Sequence, residues 1–280
     1  MIVLEQSDQL ILIRQTDHAF LAGYFAQEWG NENFAKPEPF GSFCLAAAEH
    51  DNGWSEWELK PQIDPKMRYP YSYTSIPTED HIALYQRGIE RLVRADHYAA
   101  LLASLHCSML YDRGRATIPG YSAKYVKSGE AQIVGDFVQR LKLQQLRLKV
   151  DLRADAAMKA AAEDNIITAN FERLEALDRL SLYFCLGPGE NIGIEGVPSN
   201  DQGGTADLEL RPEGANVVTL SPYPFRRETL QVSVLARRVP KRVYANDADF
   251  QKTLARAPFY AIKYTLRERR SNTSFHAAGF

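Results

Sequence analysis

Phe43-Cys44-Leu45-Ala46-Ala47-Ala48-Glu49-His50-Asp51-Asn52-Gly53-Trp54 sets a His-Asp pair at the end of an apolar run. Phe43, Ala46, Ala47, His50 and Trp54 recur at i, i+3, i+4 spacing, so the segment is a helix whose apolar face carries the His50 imidazole inward. Asp51 follows directly, and Asn52-Gly53 ends the helix. A buried carboxylate beside a buried imidazole is costly unless both are compensated. A divalent cation does that with neutral His and ionised Asp together. The bland alternative is a satisfied core histidine in front of a turn, so the dipeptide needs company elsewhere in the chain.

That company lies on other helical faces. Upstream, Thr16 or Asp17 caps a helix with His18, Leu21, Ala22, Phe25 and Trp29 on one side, ended by Gly30-Asn31. Downstream, a helix capped by Thr78 aligns His81, Leu84, Tyr85, Gly88 and Leu92, and Gly88 lets a neighbour approach closely. The next carries Leu102, Leu105, His106 and Met109 on its apolar stripe. His97 shares a charged turn and reads as a cap or surface residue. After a charged helix over about 131–149, a long one over about 154–184 presents Phe171, Leu174, Asp178, Ser181, Leu182 and Cys185. An Asp on that stripe calls for a cation, an Arg or cap donors.

The rest is organised around these helices. Ile2-Val3-Leu4 and Leu10-Ile11-Leu12-Ile13 read as an N-terminal hairpin. Beyond Leu186-Gly187-Pro188-Gly189 the composition turns to Gly, Pro, Val and Thr. Runs at 206–210, 217–220, 230–235 and 260–266 read as a small antiparallel sheet. The expected architecture is mainly α, with a helical domain over 1–186, a small antiparallel β subdomain over 187–270 and a flexible tail over 271–280 that contains His276. Between Asn52 and Pro77, Trp54, Trp57, Tyr69, Tyr71 and Tyr73, with Asp64 and Arg68, form an ordered loop that can wall a pocket.

Composition narrows the function classes. A net charge of −2 over 280 residues, with both signs mixed along the chain, leaves no basic stripe for nucleic acid and no field for an anionic membrane. No apolar run is long enough to span a bilayer, and the N-terminus lacks a basic leader segment. Cys44, Cys107 and Cys185 are too scattered for a zinc or redox motif and odd in number, which fits a reducing cytoplasm. The loop from Arg113 to Gly129 brings Arg115, Tyr121 and Lys124, with Arg113, as candidate phosphate-binding groups; Arg179 is a further basic candidate.

Six ionisable residues thus fall on buried faces: His18, His50, Asp51, His81, His106 and Asp178. With no Cys among them, they suit two divalent ions of the Fe, Mn or Co type bridged by Asp51. In order and helical placement, over residues 16 to 184, the chain resembles the HD superfamily. Its metal-dependent members use an early His, a His-Asp pair on the next helix and a late Asp, here His18, His50-Asp51 and Asp178 within Leu177-Asp178-Arg179-Leu180-Ser181. His81 and His106 match the extra ligands of the binuclear subtypes. Ser104-Leu105-His106 with Leu110-Tyr111 also looks like an uncharacterised bacterial family of HD-like proteins.

The resemblance implies an HD-domain-like helical bundle and a metal-dependent phosphohydrolase of a small phosphate ester, with Asp51 as the catalytic residue and a metal-activated water as nucleophile. It leaves two alternatives, a di-iron oxygenase related to myo-inositol oxygenase and a non-catalytic protein with a vestigial site. The Gly-Tyr-Pro signature of cyclic-dinucleotide HD enzymes is missing. The terminal sheet lies outside the resemblance.

Overall fold

The run Leu10-Ile11-Leu12-Ile13 is apolar at every position because both faces of its strand are covered. In the computed structural model, which describes residues 1–112, 128–214 and 216–269, β1 (Ile2–Gln6) and β2 (Gln9–Ile13) form the expected hairpin. The hairpin is not a separate cap. Gln9 to Leu12 of β2 pair antiparallel with residues 237–240 of β8 (Thr229–Pro240), and this joins the N-terminus to a sheet of seven strands. Its order is β1-β2-β8-β9-β7-β6-β5, with β5 Ile192–Pro198, β6 Thr205–Pro212, β7 Val217–Ser221 and β9 Phe259–Glu268.

This corrects the expectation of a mainly α protein with a small antiparallel sheet. About 49% of the described residues are helical and 23% strand, with seven strands in one large curled sheet, and β7 runs parallel to β9. The β2–β8 pairing that brings the N-terminal hairpin into the sheet joins segments more than 200 residues apart, so no local pattern announces it. β5, and the helix α8 (Asp247–Arg256) between β8 and β9, were also not foreseen.

The helices are α1 (Gln15–Glu28), α2 (Phe40–Glu49), the short α3 (Ser55–Leu59), α4 (Thr78–Ala95), α5 (His97–Asp112), α6 (Ala131–Ala154) and α7 (Asp164–Leu186). A two-stranded ribbon, β3 (Ile63–Asp64) with β4 (Tyr69–Pro70), lies in the loop after α3. One face of the sheet packs on the helices. Leu230, Val232, Val234 and Ala236 alternate inward along β8 and share a core with Ile11 and Ile13 of β2, Phe25 of α1, Leu102 of α5 and Leu177 of α7. The other face of β2 is covered as well: Leu10 and Leu12 meet Val239, Tyr244, Phe250 and Leu254 around α8. Each such leucine, once fully buried, contributes roughly 1.5–3 kcal/mol. Helices and sheet therefore share one core, and among the described residues no helix is long and apolar enough to cross a membrane.

Candidate metal centre

The site is built where α1, α2, α5 and α7 meet. Residue 18 lies in the second turn of α1; His50 is the C-cap of α2, and Asp51 follows with φ −106° and ψ 17°, which turns its carboxylate back toward α1. Asp178 projects from the middle of α7. His18 Nε2 and His50 Nε2 stand 3.3 Å apart, and Asp178 Oδ1 is 3.0 Å from the first and 3.3 Å from the second. Asp51 Oδ2 completes the cluster at 3.6 Å and 3.8 Å from the same two nitrogens. Donor atoms held about 2.1 Å from one ion stand about 3–3.5 Å from one another, so these separations fit a shared cation.

The hydrogen bonds behind the ligand atoms decide the imidazole tautomers. His50 donates its Nδ1 hydrogen to the Ala47 carbonyl at 2.9 Å. For His18 the acceptor is Ser181 Oγ at 2.7 Å, whose own hydroxyl hydrogen goes to the Asp178 carbonyl at 2.8 Å. With that hydrogen committed, Ser181 can only accept, so Nδ1 of His18 carries the proton. The neutral rings then aim two Nε2 lone pairs at two carboxylate oxygens. Such a buried convergence of acceptors is compensated only by protons or by a cation.

Burial alone would lower the His50 pKa, yet the Asp51 carboxylate and the hydrogen bond to Asp178 raise it. Burial would raise Asp178, but its bonds to His18 and His50 hold it well below the usual carboxylate range.

Around this core sit four residues that the sequence reading placed differently or passed over. His106 of α5 donates Nδ1–H to Glu175 Oε1 at 2.6 Å, and its ring lies 4.8 Å from that of His50. One ligand atom each of His50, Asp51 and His106 falls within 4.8 Å of the others, and the same holds for His106, Glu175 and Asp178. Burial opposes a charge on His106, while Glu175, then Asp178 and Asp51, push it up to about 9. Asp51 itself is clamped, because Gln15 Nε2 donates to Oδ2 at 3.0 Å and the Tyr85 hydroxyl to Oδ1 at 2.6 Å. Glu175, Gln15 and Tyr85 stand three or four residues from Asp178, His18 and His81 on their helices. A search one turn either side of each ligand would have found them.

His81 is buried on the wall of the same cavity, hydrogen-bonded through Nδ1 to Tyr111 and packed edge-on against Trp54 at 5.8 Å. It belongs to none of the ligand groupings among the described residues. The cavity is narrow, about 20 Å³, room for one or two waters, and is walled by Tyr73, Thr74, Leu110 and Leu182 as well as by the polar groups named. Among the described residues its wall carries no Lys or Arg. Arg179 is half-buried on α7 and is not part of that wall. Arg113, Arg115, Tyr121, Lys124 and the tail with His276 lie outside the described residues.

Of the loop's aromatic residues, Tyr73 is the one on the cavity wall among the described residues. Trp54 and Trp57 stack edge to face at 5.6 Å beneath it, Tyr69 donates to Glu5, and Arg68 to the Tyr244 carbonyl. The loop is mostly a clamp between the site and α8. His97 is exposed, and the cap of α5 is Asp96, whose Oδ1 accepts from Ala99 N at 2.8 Å.

Residues 1–241 match the model of a family described as "Protein of unknown function (DUF3891)". The chain belongs to that family. No curated protein and no solved structure gives a significant match. The matched span of this DUF3891 chain contains every residue of the cluster and ends just past β8, before α8 and β9. The family description carries no activity, so function is argued from the site.

Proposed function

We propose that this protein is a divalent-metal-dependent hydrolase of a small phosphate ester, of the HD type, in which His18, His50, Asp51 and Asp178 would hold an Fe, Mn or Co ion. The observation that carries the reading is the convergence of two Nε2 lone pairs, fixed by committed Nδ1 protons, on two buried carboxylates. The order of these residues along the chain, shared with the HD superfamily, supports it. Bound there, the ion supplies Lewis acidity and an activated water for attack at phosphorus.

The protein's own groups do the rest. Gln15 and Tyr85 orient the Asp51 carboxylate. His106, with Nδ1 tied to Glu175, has Nε2 left to hand a proton to the leaving oxygen as the ester bond breaks. Protonated His106 also gives a phosphate positive charge that the rest of the described wall does not provide. Leu110 and Leu182 keep bulk water away. A pair of irons, as an oxygenase needs, is less well served, since the Tyr85 hydroxyl occupies the second oxygen of Asp51. The unpaired Cys44, Cys107 and Cys185 fit a cytoplasmic setting.

The test is a panel of phosphomonoesters and phosphodiesters assayed with protein reconstituted with Mn(II), beside Asp51→Asn. Turnover that vanishes in the variant together with metal content is the expected result. Unchanged turnover in Asp51→Asn would place the activity elsewhere.

A further inference from the structure

We infer that Tyr85 sets the number of ions the site takes: by donating to Asp51 Oδ1 it keeps Asp51 a one-sided ligand, so the wild-type site holds one ion, and loss of that hydroxyl admits a second. The inference rests on the metal-binding reading above but not on the reaction assigned to it. A carboxylate bridges two ions only if each oxygen has one. Asp51 Oδ2 faces the His18 and His50 nitrogens, whereas Oδ1 points the other way and accepts the Tyr85 hydroxyl at 2.6 Å, a short bond to an ionised acceptor.

Beyond Oδ1 the makings of a second position are present. The Tyr85 ring is packed against two imidazoles, its centroid 4.8 Å from that of His81 and 6.4 Å from that of His106. His106 has a ligand atom within 4.8 Å of one on Asp51. The Tyr85 hydroxyl oxygen therefore takes the place at Oδ1 that a second ion, with His106 close by, would need. Tyr85 is 5% exposed, so its hydroxyl has no easy route out to solvent. Replacing it with Phe keeps the ring and its packing but removes the donor to Oδ1, which frees that carboxylate oxygen for a second ion.

The experiment uses the full chain, stripped with a chelator and titrated with Mn(II), with bound metal read by elemental analysis after dialysis and spin coupling read by electron paramagnetic resonance. Wild type should hold one equivalent with the spectrum of isolated Mn(II). Tyr85→Phe should hold two, with the spectrum of a coupled pair, and Tyr85→Phe combined with His106→Ala should return to one. His81→Ala in the wild-type background should stay at one equivalent, an arm that leaves Tyr85 intact. Two equivalents in wild type, a loss of metal in His81→Ala, or one equivalent in a folded Tyr85→Phe would each overturn the inference while leaving the metal site standing. No uptake by wild type would remove the metal reading and this inference together.

Discussion

Gly53→Ala tests how the His50-Asp51 turn is held. Asn52–Trp54 forms a 3₁₀ turn pressed against α4 so closely that a Cβ on Gly53 would lie 2.0 Å from the Leu84 carbonyl oxygen and 2.7 Å from its carbon. From the opposite side, a Cβ on Gly88 would meet Gly53 N at 2.9 Å. The obstructing atoms are main chain of an 18-residue helix and cannot rotate aside. The turn must therefore move by about 1 Å, and overpacking of this kind costs roughly 1–3 kcal/mol, here at the upper end. For a chain of this size that is a fall in Tm of about 6–12 °C.

Because Asp51 is two residues away, its carboxylate should also leave the His18-His50-Asp178 cluster. Mn(II) affinity measured by titration calorimetry should drop with the Tm. Gly135→Ala is the control, since a Cβ there meets nothing within 4 Å on α6. It should stabilise by up to about 1 kcal/mol, as Ala replacing Gly inside a helix does. A Gly53→Ala protein that melts within about 2 °C of wild type and binds Mn(II) normally would show that the close approach does not hold the turn.

Three further outcomes are expected. Asp178→Asn removes the carboxylate at 3.0 Å and 3.3 Å from the two histidines. Metal affinity should fall by more than the roughly 10–100-fold typical of losing a supporting partner, read by elemental analysis after dialysis. In the ion-free protein the His106 pKa is raised from 6.5 to about 9, with Glu175 the main cause opposing burial. The stability this contributes is fully present below pH 6.5 and is lost as pH rises through about 9. Urea midpoints of wild type and Glu175→Gln should therefore differ most at pH 6 and converge toward pH 9.5, and a gap that widens with pH would refute the assignment. Glu58 accepts from Gln15 N at 2.6 Å and Thr16 Oγ1 at 3.0 Å, so it caps α1, whose own N-cap Arg14 makes no side-chain cap bond. Glu58→Ala should cost about 1–3 kcal/mol by leaving buried donors unmet, seen as a lower melting midpoint.

The burial of His18, His50, His106 and Asp178 was legible in the sequence because each sits at helical spacing within an apolar stripe, and that of Asp51 because it follows His50 directly; a buried ionisable group has few uses. The hairpin of β1 and β2 and the helices other than α3 and α8 were legible because period and caps are local properties. Tertiary structure decided what locality cannot encode. The sheet reached seven strands only through β2 meeting β8 across the whole chain, and the apolar run at 10–13 is consistent with burial on both faces without saying against what. The alanine-rich segment 156–162 reads as helix by propensity. It forms turns instead, because Asp155 and Arg153 bond its backbone and Ala162 is buried in the core.

The second oxygen of Asp51 shows the limit most sharply. Sequence order offers Asp51 as a bridge, and the fold alone sets Tyr85 against one of its oxygens and His81 against Tyr111. Order along the chain specifies which ligands are available. How many ions they can share depends on distances of a few tenths of an ångström, which arise only once helices from distant parts of the chain have packed.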